Sequence, residues 1–497
     1  MRASGRNTAM TTDASDHTRR PSSGETTFQR AHGWNLLALR PLKAFVLWWG
    51  FPYMFQALLL LGYLALAFLG WRLSAPAGVP DKLYAKTNLV NLLIWGLWWP
   101  AMIWGAVLFG RIWCAVCPLE LVLNGTERLA RRLKINQRPL PRWLRSGVLI
   151  VVGYLVLQFL VAGVHLHRNP HVTSMFLWGL LAATVVTALL LRDRAFCRGF
   201  CPVGLLLGTY GRGSMLAVRP SSPSVCEACK TKDCVAGANR YRLDARSCPS
   251  LLDPARLNSN ADCLVCGQCF KACQPQDNMG LYLRPPFSWR DAREALASWP
   301  VTLFVMVVSG FVAYELCSEW SAAKTVFLWV PQRVSDALGL SGHTGGWVTG
   351  AWRLVVVPLV FWSLLGAVVR AAGGARSLGE AWRRLALPLA VVISAGHMAK
   401  GLAKLASWGG YLPLALQQPN GVDHAVAIAS GSMPAPPHLL SMPAVSLVSF
   451  ALVLVMGGFA LRESRLADAT THRSRIGPIV SVTVLACFLI AGWTFGG

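Results

Sequence analysis

The sequence predicts a polytopic α-helical membrane protein of about nine spans, interrupted by one small α+β insertion. Three observations predict it. Of the 497 residues 54% are hydrophobic, 21 are tryptophan and only 14% are charged, whereas soluble chains carry about a quarter charged residues. Apolar runs near or above bilayer-spanning length recur along the whole chain. Twelve of the 14 cysteines fall between Cys114 and Cys273, in the basic segments that separate apolar runs.

The apolar runs place spans near 44–71, 88–110, 147–165, 172–191, 299–317, 353–371, 385–406, 444–461 and 477–494. Lysine and arginine crowd 1–43, 111–146, 192–298, 371–384 and 462–476, and none occurs from Ala406 to Leu461. By the positive-inside rule, that alternation puts the N-terminus in the cytoplasm and the C-terminus outside. It also accounts for most of the +25 net charge. Because the basic residues alternate with spans and form no single patch, nucleic-acid binding is not expected. The first 43 residues are polar and lack a close h-region, so they read as a disordered cytoplasmic tail and not as a cleaved signal peptide.

Cysteines in a reducing cytosol read as metal ligands or redox thiols, because disulfides are rare there. Cys317 and Cys487 stand apart, in or at the ends of apolar spans, and read as buried small hydrophobes. Cys263, Cys266, Cys269 and Cys273 have the spacing C-x2-C-x2-C-x3-C, the run that wraps a [4Fe–4S] cluster in bacterial ferredoxins. Three closely spaced thiolates grip one cluster while the fourth cysteine reaches another. Cys226, Cys229, Cys234 and Cys248-Pro249 supply the partner half. Exchanging the fourth ligands puts Cys226, Cys229, Cys234 and Cys273 on one [4Fe–4S] cluster, and Cys263, Cys266, Cys269 and Cys248 on a second. Zinc is the competing metal for C-x2-C pairs, but eight cysteines around this core favour iron–sulfur. Here "CQP" stands where Cys-Pro is usual.

Two further pairs follow spans. "RIWCAVCPLELVLNG" contains Cys114 and Cys117, and "RAFCRGFCPVGLLLG" contains Cys197 and Cys201. Each trailing proline suits the first turn of a helix, and a thiolate just before it feels the positive end of the helix dipole. The near-repeat implies a duplicated unit of two spans and a cysteine pair. About a pseudo-two-fold axis the four thiols would converge on a further iron–sulfur cluster; two independent dithiols are the alternative.

These motifs resemble the NosR/NapH family of membrane-bound polyferredoxins, which includes the oxidase-assembly protein CcoG, over roughly residues 40–320. The resemblance implies electron transfer linked to a membrane respiratory or assembly system. The first pair departs from the family pattern, with two intervening residues instead of three.

In "SAGHMAKGLAKL" His397, Lys400 and Lys404 share one helix face. Ionisable residues inside a membrane usually line a cavity or pathway, so a quinone-head site or proton route is one reading. The other has the lysines snorkel to the interface while His397 meets a neighbouring helix; a haem ligand is the remainder. "HLHRNPH" sets His165, His167 and His171 in a short turn, as copper or haem ligands or as a polar surface turn.

The expected organisation is thus a tail (1–43), a duplicated four-span unit (44–215), a cytoplasmic ferredoxin-like domain (216–290) and a five-span bundle (291–497). The expected function is electron transfer in a bacterial inner membrane, between a cytoplasmic or quinone-pool donor and a membrane or periplasmic redox partner. An assembly factor that reduces a metal or thiol is the second reading, and a transporter using the later spans the third.

Overall fold

The computed structural model describes residues 33–274, 277–285 and 289–494. Among the described residues, seven helices are long and apolar enough to cross a membrane. In chain order with their neighbours, the elements are β1 (Trp34–Asn35), α1 (Tyr53–Leu69), α2 (Leu89–Phe109), α3 (Pro118–Arg132), α4 (Val148–Gly163), α5 (Pro170–Leu190) and α6 (Gly204–Tyr210). There follow β2 (Leu216–Pro220), β3 (Met279–Leu283), α7 (Trp299–Cys317), α8 (Ser321–Ala337), α9 (His343–Ala371), α10 (Leu378–Trp408), α11 (Met442–Ala467) and α12 (His472–Ala491).

Two of the nine expected spans, α1 and α4, are apolar but only 17 and 16 residues long. At 1.5 Å per residue they reach about 25 Å, short of the roughly 30 Å hydrocarbon core. The span expected from residue 353 starts earlier, at His343. The helix α8 was not foreseen, because Lys324, Pro331 and Arg333 break its apolar pattern. It presents Val326, 77% exposed, and Trp329, 58% exposed, on its outer face.

The centre of the bundle is α10, which is buried almost continuously from Leu385 to Ala399. Its small residues, including Ala386, Ala390, Ser394, Gly396 and Ala399, let α2, α7 and α11 pack close. A second close approach is at Gly310 of α7, where a Cβ would fall on the carbonyl of Arg353 and the ring of Pro358 in α9.

The polar insertion is built on a three-stranded antiparallel sheet of order β1-β3-β2. Leu216 pairs with Leu283 and Pro220 with Met279, while Trp34 pairs with Leu283 on the other edge. Leu37, Val46, Val218, Val265, Phe270 and Leu281 fill the space beneath it. This changes the expected boundaries. The tail predicted over 1–43 is outside the described residues up to 32, but 34–35 form a strand and Arg40–Leu47 a helix. β1 is recruited because β3 offers it an unpaired edge.

Candidate functional site

The first cysteine pair lies just beyond α2. Cys117 caps α3 in an extended conformation with Pro118 at the first helical position. The Glu120 N–H donates to the Cys117 carbonyl oxygen at 3.1 Å, and the first-turn amides of Leu119 and Glu120 favour the ionised form of its thiol. The second pair sits in the turn Phe196–Phe200 and the residue after it, and the Gly204 N–H donates to the Cys201 carbonyl oxygen at 3.0 Å. The two pairs are brought together. Cys117 has Cys114 and Cys201 as electrostatic neighbours, Cys201 has Cys114, and Cys197 has Cys201 and Cys117. Burial pushes the Cys117 and Cys197 thiols up, and that of Cys201 up to about 11, with adjacent thiols adding to the effect. Bound iron would hold such thiols ionised.

A buried ionic network that the motifs did not disclose encloses this site. Glu120 accepts from Arg194 Nε at 2.7 Å and from Arg246 at 3.3 Å, and Asn124 joins Glu120 at 3.0 Å and Arg246 at 2.7 Å. The Cys197 sulfur is 3.7 Å from the same carboxylate. Burial alone would raise the Glu120 pKa, but Arg194 and Arg246 outweigh it and leave the carboxyl below its ordinary value. Arg246 comes from the cysteine-rich segment, two residues before Cys248, so the network ties the two cysteine regions together.

Within that segment, Cys226 lies within a short helix (Pro223–Ala228) and Cys229 follows it. Gly267, at φ +75°, turns the chain between Cys266 and Cys269, with Val46 against it where a Cβ would stand. The sulfur of Cys226 accepts from Asn278 at 3.2 Å and that of Cys229 from the Lys232 N–H at 3.4 Å. Backbone N–H groups of Val265, Gln268, Ser250 and Leu252 point at the sulfurs of Cys263, Cys266 and Cys248. Cys248 is an electrostatic neighbour of Cys263, Cys266 and Cys269, while Cys273 neighbours Cys226 and Cys234. Burial pushes Cys263 and Cys234 up to about 12 and Cys266 up to about 11. All twelve of these cysteines are free thiols, and among the described residues no three His, Cys, Asp or Glu groups close to single-ion distance. Thiols ringed by N–H donors suit a multi-iron cluster, whose sulfur ligands stand apart around the core. Cys317 and Cys487 lie away from these sites and are buried among apolar side chains.

The polar face of α10 is also occupied. His397, 3% exposed, shares a 3.1 Å hydrogen bond with the Tyr210 hydroxyl through Nδ1. Lys400 is 2.5 Å from Glu319, 3.2 Å from Glu315 and 2.8 Å from Ser318. Lys404 lies over the Trp408 ring at 4.8 Å. All three line a cavity of about 750 Å³. The turn histidines diverge: His165 and His167 line the same cavity, whereas His171 accepts from the Arg72 N–H at 3.1 Å. Glu315 and Glu319 lacked any local sequence signal, because each meets Lys400 across some 80 residues of chain.

Known proteins are similar in sequence over the cysteine-pair segments. The 4Fe-4S binding domain family matches the chain twice, at residues 91–136 and 174–220, one match for each cysteine pair. The chain is similar to the ferredoxin-type protein NapH of Haemophilus influenzae, 28% identical over 180 residues, which is 34% of this chain and 61% of that one. It is similar to the methylamine utilization ferredoxin-type protein MauN of Paracoccus denitrificans, 26% identical over 33% of this chain and 55% of that one. The putative electron transport protein YccM of Escherichia coli is 26% identical over 42% of this chain and 62% of its own. The chain thus spans about three-fifths of the length of these relatives, and no solved structure matches it. The chain thus carries two matches to the 4Fe-4S binding domain family, and over about a third of its length it is similar to NapH-like ferredoxin-type proteins.

Proposed function

We propose that the protein is an integral-membrane iron–sulfur electron carrier. Cys226, Cys229, Cys234 and Cys273 would hold one [4Fe–4S] cluster, and Cys263, Cys266, Cys269 and Cys248 a second. Cys114, Cys117, Cys197 and Cys201 would hold a further cluster. Such clusters supply one-electron transfer when bound. The chain's own contribution is to seat them close together, to surround their sulfurs with N–H donors and to set the local charge with Glu120, Arg194 and Arg246. The donor would meet the cysteine-rich segment on the cytoplasmic side, where the Lys/Arg asymmetry puts it. The named relatives are ferredoxin-type and electron transport proteins, which supports the same chemistry.

One observation supports a path from the paired-cysteine site into the bundle. The helix α6 begins three residues after Cys201 and ends at Tyr210, whose hydroxyl meets His397 on the cavity wall. Nine residues of mostly helical chain span about 14 Å, so the paired-cysteine site and the cavity are joined by one short rigid element. Tyr210 and His397 would hold a proton at Nδ1 beside the cavity, as a quinone or an external redox partner accepting electrons there requires. The test is iron and sulfide quantitation with EPR on the anaerobically reduced protein. The reading expects signals from more than one cluster, and Cys114→Ser or Cys201→Ser should remove a whole cluster's iron. Unchanged iron with lost electron transfer would instead make the two pairs dithiols.

A further inference from the structure

The cavity beside α10 has a charge balance that electron transfer does not require. Its wall carries only two carboxylates, Glu315 and Glu319, and both are taken by Lys400. Lys82, Lys86, Arg168, Lys324, Arg353 and Lys404 also face it, and among the described residues none of these six forms an ion pair. Two donors are left over as well. Arg168 Nε donates to His167 Nε2 at 3.1 Å, which puts the remaining proton of a neutral ring on Nδ1; that atom is buried without a partner. The buried Nε of Arg353 has no partner either. Aromatic rings face three of these cations, Lys404 over Trp408, Lys86 over Tyr411 and Arg353 over Tyr314, but no carboxylate neutralises them. Buried cations and donors without a counter-charge are costly, and an anion is the ligand that would satisfy both.

The cavity is too large for an inorganic ion alone. Its volume of about 750 Å³ is that of sites for organic ligands. Trp95, Trp99 and Phe311 line the end near His397, whereas Lys82, Lys86 and Arg168 come from the segments at the far ends of α2 and α4 from the cysteines. We infer that this cavity is a binding site for an amphipathic organic anion, with its apolar body against Trp95, Trp99 and Phe311 and its carboxylate or phosphate among Lys404, Arg168 and the His167 Nδ1–H. The same chemistry belongs to a free carboxylate or phosphate ester and to the headgroup of an anionic lipid. The inference concerns binding alone: it shares with the proposed electron path the cavity that His397 lines, but rests on none of that path's redox chemistry.

The experiment titrates the full-length, cluster-loaded protein in a neutral detergent with 2-naphthoate and with its uncharged isostere 2-naphthamide, following tryptophan fluorescence. The acid is expected to bind at least tenfold more tightly than the amide. Lys404→Gln and Arg168→Gln should each weaken the acid severalfold while leaving the amide unchanged, and Lys404→Arg should restore it. The unaltered visible spectrum of the iron–sulfur clusters identifies variants that remain folded. Displacement by added phosphatidylglycerol but not by phenyl phosphate assigns a lipid headgroup as the occupant; displacement by phenyl phosphate assigns a free anion. Equal affinities for acid and amide, or no binding of either, overturn the inference. Loss of electron transfer with intact naphthoate binding would instead count against the electron path alone.

Discussion

The carboxylate of Glu120 lies 2.7 Å from Arg194 Nε, joining the helix after the first cysteine pair to the arginine that opens the second. Both side chains are 5% exposed, and Arg246 reaches the same carboxylate from the cysteine-rich segment. Removing one partner of such a pair strands the other's charge in a buried site, at about 3–5 kcal/mol. Glu120→Ala should therefore lower the melting temperature in detergent and release iron on purification, and Glu120→Gln should do so less. An unchanged melting curve for the alanine variant would show that the pair is not structural.

The placement of the distal cysteines predicts which cluster each supports. Cys248→Ser should abolish the EPR signal of the cluster on Cys263, Cys266 and Cys269, and Cys273→Ser that of the cluster on Cys226, Cys229 and Cys234. Spin quantitation in each double variant with Cys266→Ser distinguishes the two. Cys248→Ser should then add no further loss, whereas Cys273→Ser should also remove the signal of the cluster on Cys226, Cys229 and Cys234, leaving only that of the paired-cysteine site. The reverse pattern would mean that each half closes on its own fourth cysteine.

Glu127 predicts a pH dependence. Burial pushes its carboxyl up to about 7 from 4.5, despite the Arg194 N–H that donates to it at 2.9 Å. Between those values the folded protein binds more protons than the unfolded chain. Stability should therefore fall as pH rises from about 4.5 to about 7, by up to about 3 kcal/mol, and then level off. Glu127→Gln keeps an oxygen for the Arg194 N–H and should flatten this slope, making the variant the more stable form at pH 8. Parallel melting curves for the two proteins at pH 5 and pH 8 would contradict the assignment.

Gly310 predicts a packing defect. A side chain there would meet the Arg353 carbonyl and the Pro358 ring, neither of which can swing away. Gly310→Ala should cost about 1–3 kcal/mol or more by overpacking, read as a lower melting temperature in detergent. Gly62, with open space around its Cβ position, is the control, and Gly62→Ala should leave stability within about 1 kcal/mol of the parent.

The sequence by itself determined the membrane-like helices, because an apolar run of spanning length is a local property that composition displays directly. It also located the twelve cysteines and their two near-repeats, since ligand spacing within one loop is written in consecutive residues, and the two 4Fe-4S domain matches fall on those repeats. Only the tertiary structure decided the rest. Trp34 pairing with Leu283, Glu120 meeting Arg194 and Arg246, Tyr210 meeting His397 and Lys400 meeting Glu315 each join residues dozens to hundreds of positions apart. Such contacts leave no periodicity in either partner segment. They form because a buried charge or an open strand edge must find a complement wherever the packed helices bring one within reach.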